Sequence, residues 1–79
     1  MNISAKVDYA LQAMVEIAAA TKSEVLISAE EISLKRQIPA KFLEGILTTL
    51  RKAGVVNSYR GPAGGFELAR SAEDISVAD

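Results

Sequence analysis

Apolar side chains recur along the first part of the chain at three- and four-residue steps: Val7, Leu11, Met14, Val15 and Ala18. That period places them on one helical stripe and predicts a helix from Lys6 to about Thr21, with Ala10, Ala13, Ala19 and Ala20 adding helix propensity. Lys22-Ser23-Glu24 breaks the pattern. Val25-Leu26-Ile27 is a three-residue apolar run, too short for a helix and suited to a short strand. Ser28-Ala29-Glu30-Glu31 has the spacing of a capping box. In that arrangement the Ser28 hydroxyl receives the Glu31 amide while the Glu31 side chain reaches back to the Ser28 amide. A second helix is expected from Ala29 to Arg36, burying Ala29 and Ile32 with Ser33 beside them.

Gln37-Ile38-Pro39 ends that helix and begins another. The residue before a proline is pushed away from helical angles, whereas proline itself fits a first helical turn. From Pro39 to Ala53 the stripe Leu43, Ile46, Leu47, Leu50 restores helical spacing, with Phe42 flanking it. Gly54 supplies the left-handed residue past the end, and Arg51 and Lys52 sit in the last turn, where the helix dipole favours cations. Two helices joined by two or three residues have helix-turn-helix spacing. Val55–Arg60, then Gly61-Pro62-Ala63-Gly64-Gly65, then Phe66–Arg70 read as strand, glycine-rich turn and strand. Ile75, Val77 and Ala78 in the tail are expected to begin a further helix. The pattern defines a mainly α fold with a small β-hairpin. Its order is helix, short strand, helix, recognition helix and two-stranded wing, a winged helix-turn-helix filling residues 1–79 as one domain.

Composition removes whole classes of chemistry. With 79 residues there is room for one small core. The absence of Cys and His from the sequence leaves no disulfide, no thiolate or imidazole metal ligand, and no histidine general base. No serine stands with a plausible base, and no acids pair at a convincing spacing, so the chain is read as a non-enzyme. Gly61–Gly65 is not a phosphate-binding loop, because no lysine followed by serine or threonine leads on into a helix. No apolar run is long enough to span a membrane, and the N-terminus is polar without a signal-peptide core, which gives a cytoplasmic expectation.

The net charge of −1 hides a strong asymmetry. Residues 1–34 sum to −3, residues 35–70 to +5 and residues 71–79 to −3. Charge alone fits a solvated mixed surface as well as an anion-facing one. The motif adds direction, since its second helix enters the major groove of duplex DNA with its N-terminal residues at base edges. The candidate DNA-contacting residues are Pro39, Ala40, Lys41, Phe42, Glu44 and Arg51 on the helix, and Arg60, Gly61, Pro62, Gly64 and Gly65 on the wing. Lys41 suits a guanine edge or a phosphate. Glu44 suits cytosine N4, and equally is an ordinary exposed helix acid. Arg60, beside glycines, suits a narrow minor groove or a phosphate, and is otherwise a solvated turn residue. A winged helix that packs against protein instead of DNA is the competing reading.

Leu50-Arg51-Lys52-Ala53-Gly54-Val55-Val56, followed by Arg60-Gly61-Pro62-Ala63-Gly64-Gly65-Phe66, resembles the wing signature of the IscR/NsrR/CymR family of bacterial regulators. Ser4–Leu11 and Ile75–Asp79 are similar to that family's segments too, so the likeness covers the whole chain. The resemblance implies a homodimeric regulator, commonly a repressor, on imperfect palindromic operator DNA. It also implies a protein about twice this length, with the dimerisation helix following the wing and therefore beyond this chain. The family's operator-selecting glutamate falls on Glu44 and its minor-groove arginine on Arg60. Pro39 and Lys41 stand where many members have serine, a departure that bears on which operator is read. Cluster-binding members carry three cysteines and hold an iron–sulfur cluster. By resemblance Asp8 is a candidate extra ligand in a full-length protein, and otherwise an exposed acid near a helix start. Without thiolates, no cluster is held by these 79 residues.

Overall fold

In the computed structural model, which describes residues 4–69, the Ser4 hydroxyl accepts the Val7 amide at 3.2 Å and starts α1, Ala5–Lys22. The chain is slow to leave this helix. Glu24 takes a left-handed φ of 60°, and the Val25 amide still returns to the Ala20 carbonyl at 3.0 Å. Only Ile27 is then free to pair. It exchanges two backbone hydrogen bonds with Phe66, at 3.2 and 2.8 Å. The short strand expected over Val25–Ile27 is thus reduced to one bridging residue, because its first residue still belongs to the end of α1.

The second helix, α2, has the expected bounds, Ala29–Arg36. Ser28 accepts the Glu31 amide at 3.1 Å as the capping box requires. The reciprocal half differs: the Ser28 hydroxyl donates to the Glu31 carboxylate at 3.4 Å, so one hydroxyl serves both directions and the Ser28 amide is not the partner. Gln37, at φ 53° and ψ 44°, turns the chain through the left-handed region. Ser33 locks the turn from both sides, its hydroxyl donating to the Ile38 carbonyl at 2.7 Å and its carbonyl accepting the Ile38 amide at 3.1 Å. Ile38 is 2% exposed, so the turn is anchored in the core.

Pro39 caps α3, Ala40–Lys52, and is not its first residue. Its ψ of 133° keeps it extended, and the helix begins one position later than the proline rule suggested. Ala53 caps the helix after its last residue, Lys52, and Gly54 follows at φ 77° in the expected left-handed conformation. The hairpin pairs β1, Val56–Tyr59, with β2, Gly65–Leu68, in antiparallel register from Val56 opposite Leu68 to Tyr59 opposite Gly65. The segment Ser71–Asp79, expected to begin another helix, lies outside the described residues.

The core draws on every element: Ala13, Ile17 and Ala20 from α1, then Ile27, Ile32, Ile38, Leu43, Leu47, Val56 and Leu68. The stripe that marked α1 is not the face it buries. Val7, Leu11 and Val15 are 50–59% exposed, and Met14 and Ala18 are half-buried. Ala13, Ile17 and Ala20 form a second three- and four-residue series on the same helix, and it is this series that meets the core. A helix apolar on two sides can dock by either one. The smaller alanine face lets α3 and β2 approach α1 closely, which interior packing density rewards.

Candidate nucleic-acid interface

Burial of Leu43, Ile46 and Leu47 fixes the rotation of α3 about its axis. At about 3.6 residues per turn, Lys41, Glu44, Thr48 and Arg51 then share one arc outside the buried face. All four are exposed. Pro39 and Ala40 are exposed at its N-terminal end. The arc is about 15 Å long, presents two cations, one acid and a hydroxyl, and has the dimensions of a major-groove reading surface. Phe42 stands apart from it. Its ring lies 6.0 Å from that of Tyr9 at 59°, so it leans on α1 at the flank of the helix.

Arg60, Gly61, Pro62 and Ala63 are exposed at the tip of the hairpin. Behind them the two following glycines hold the wing in shape. The Gly64 amide returns to the Gly61 carbonyl at 2.9 Å, and a Cβ on Gly64 would fall on the Tyr59 carbonyl. Gly65 is buried, and a Cβ there would lie 2.8 Å from the Ile27 carbonyl. These two candidates act by close backbone approach: Gly64 closes the turn and Gly65 seats the wing root. On the far face of the hairpin, the Tyr59 hydroxyl donates to the Glu67 carboxylate at 2.6 Å. That bond, with the neighbouring negative charge, raises the Tyr59 pKa above the usual phenol value.

Between α3 and β1 lies a cleft of about 320 Å³ whose polar lining is Glu44, Thr48, Arg51 and Ser58. Strand alternation explains Ser58. It shares a face with the buried Val56, but sits two residues nearer the tip, where the core has ended. The positive charge of the central segment is also reapportioned. Arg36 donates to the Glu16 carboxylate at 2.8 Å and is held by α1, whereas Lys35, 3.9 Å from the same carboxylate, stays mostly exposed. Lys41, Arg51, Lys52 and Arg60 remain as exposed cations on α3 and the wing. Asp8 sits in the first turn of α1, its carboxylate accepting from Gln12 at 2.8 Å.

Thr48 and Ser58 were not among the residues picked from the sequence. Thr48 was open to discovery, being one turn from Glu44 on the same face. Ser58 was not, because its facing depends on where the core stops beneath the hairpin.

Helix-turn-helix followed by an antiparallel hairpin, with an exposed polar arc on the second helix of the pair, defines a winged helix-turn-helix protein. Comparison with known proteins agrees: the family described as Rrf2, iron-dependent transcriptional regulator, matches residues 3–79. The chain belongs to the Rrf2 family. It is 44% identical over 80 residues to the HTH-type transcriptional regulator IscR of Cereibacter sphaeroides, covering 100% of this chain and 52% of that protein. It is 37% identical over 79 residues to protein rrf2 of Nitratidesulfovibrio vulgaris, covering 100% and 52%. Among solved structures it is similar to T. potens IscR, with a TM-score of 0.88, 38% identity, and 100% and 57% of the two chains covered. It is also similar to CymR, the global cysteine regulator of B. subtilis, at a TM-score of 0.84, 33% identity, and 95% and 57% coverage. The chain spans about half the length of the curated relatives it matches.

An iron–sulfur cluster, which the resemblance raised, does not fit the residues present. Such clusters are held by thiolates, with imidazole as the known substitute. The sequence contains neither Cys nor His. Among the described residues no three acids converge, and Asp8 stands beside an amide partner on an exposed helix face.

Proposed function

We propose that this chain is the duplex-reading head of a transcription regulator, with α3 in a major groove and the hairpin tip in the adjoining minor groove. The observation that carries the reading is the polar arc Lys41-Glu44-Thr48-Arg51, which meets Ser58 across the cleft, two residues before the exposed Arg60 of the wing tip. With a cation at each end, Lys41 and Arg51, the arc complements a groove walled by phosphates. Lys41 and Glu44, in the first turns of α3, are the base-edge readers, and Arg60 enters the minor groove or rides its phosphates. Pro39, Ala40, Gly61 and Pro62 line the approach with backbone and small surfaces that let the duplex come close.

In the longer protein that the relatives' lengths suggest, two such heads form a cytoplasmic homodimer acting as a repressor on a two-fold operator. Half-sites are then about one helical turn apart. Any cluster carried by such a protein takes its thiolate ligands from residues other than these, with Asp8 the candidate extra ligand in this chain. The role is one of binding, without catalysis.

Fluorescence anisotropy of a labelled duplex, titrated with the 79-residue chain over a series of salt concentrations, tests the reading. Affinity should fall linearly in log–log form, with a slope of about −0.9 per phosphate neutralised. Absence of salt-sensitive duplex binding overturns it and favours a protein-docking winged helix.

A further inference from the structure

The cleft between α3 and β1 has a composition that neither base reading nor packing explains. Its floor is apolar, formed by Leu47 and Phe66 among others. Its rim brings a guanidinium and two hydroxyls together from two separate elements: Thr48 and Arg51 from α3, and Ser58 from β1. Thr49 beside them donates its hydroxyl to the Gly45 carbonyl at 3.0 Å, whereas Thr48 faces the cleft. The one acid on the rim, Glu44, stands about 10 Å up the helix from Arg51, seven residues away. The Arg51 end is therefore positive.

We propose that Thr48, Arg51 and Ser58 form a seat for one backbone phosphate of duplex DNA. The inference rests on the DNA-reading function proposed above. With α3 in the major groove and the wing in the minor groove, the sugar–phosphate strand dividing the two grooves must pass over the gap between those elements. The gap is this cleft. An arginine fork with two short hydroxyls suits a phosphate oxygen set, since charge-assisted donors form the strongest hydrogen bonds and hydroxyls add donors without further charge. The seat fixes the register of the head along the duplex and leaves the choice of base to Lys41 and Glu44.

The test uses the 79-residue chain and a duplex that this chain enriches from a random pool, remade with a neutral methylphosphonate at one phosphate at a time. The wild-type chain should lose roughly tenfold in affinity when the seated phosphate is neutralised. Arg51→Gln should bind the parent duplex more weakly, with a salt slope shallower by about 0.9, and should no longer register the methylphosphonate at that position. The Thr48→Val, Ser58→Ala double variant keeps the charge and removes both hydroxyls. It should shrink the penalty at the same phosphate and at no other. All three positions are exposed, so these substitutions leave the core intact. A penalty unchanged in Arg51→Gln, or unchanged in the double variant, overturns the seat while DNA reading stands. A wild-type chain that enriches no duplex overturns both together.

Discussion

Tyr59 and Glu67 face each other diagonally across the hairpin, hydroxyl to carboxylate at 2.6 Å, immediately behind the exposed tip that carries Arg60. Only the neutral phenol can donate this bond, and the bond together with the adjacent negative charge holds the Tyr59 pKa above its ordinary value of 10.0. With the folded pKa raised, the stabilisation is fully present below the usual phenol range. It is lost as pH rises through the raised value. In a spectrophotometric titration of the phenolate band, Glu67→Ala should move the Tyr59 transition to lower pH. An unmoved transition would show that the bond is not formed in solution.

Arg60 and Glu44 should fail in different ways. If Arg60 meets groove shape or backbone as proposed, Arg60→Ala should weaken binding to many sequences alike, by about 1.5–3 kcal/mol. Affinities measured on a panel of unrelated duplexes check this. A loss confined to one sequence would contradict it.

Glu44→Ala should instead change which duplexes are preferred. A well-placed base contact is worth about 1–3 kcal/mol of discrimination, so selection from a random pool should show relaxed preference at one base pair per half-site. Equal losses on all sequences would reduce Glu44 to a general helix acid.

The docking face of α1 is open to a direct comparison. Ile17 is fully buried, and Ile17→Ala should cost about 2–5 kcal/mol of stability in denaturant unfolding. Leu11 is 59% exposed, and Leu11→Ala should stay within about 0.5 kcal/mol of the parent. A reversed order would mean that α1 is rotated about its axis from the face described.

Legibility in the sequence followed the locality of each determinant. The bounds of α2 were readable because Ser28 and Glu31 carry the start signal within four residues. The wing was readable from its glycines. The burial of α1 was not: Val7, Leu11 and Val15 and Ala13, Ile17 and Ala20 both satisfy a helical period, and only partners distant in sequence choose between them. The strand at Val25–Ile27 shrank for a similar reason, since the Val25 amide was already committed to Ala20. Within the candidate site, the exposure of Lys41, Glu44 and Arg51 followed from position on a helix. The withdrawal of Arg36 by Glu16 is a contact across 20 residues that no local pattern announces.

The pairing of Ile27 with Phe66 joins the chain just ahead of α2 to the root of the wing by two hydrogen bonds. For a duplex seated as proposed, that bolt makes the protein a gauge of fixed jaw width. The helix pair forms one jaw and the hairpin the other, and the span between them is set before any DNA arrives. A half-site whose twist or groove width mismatches the gauge must deform to fit, at an energy set by its own stiffness. Base pairs that no side chain touches would then still be selected, through the mechanics of the duplex itself.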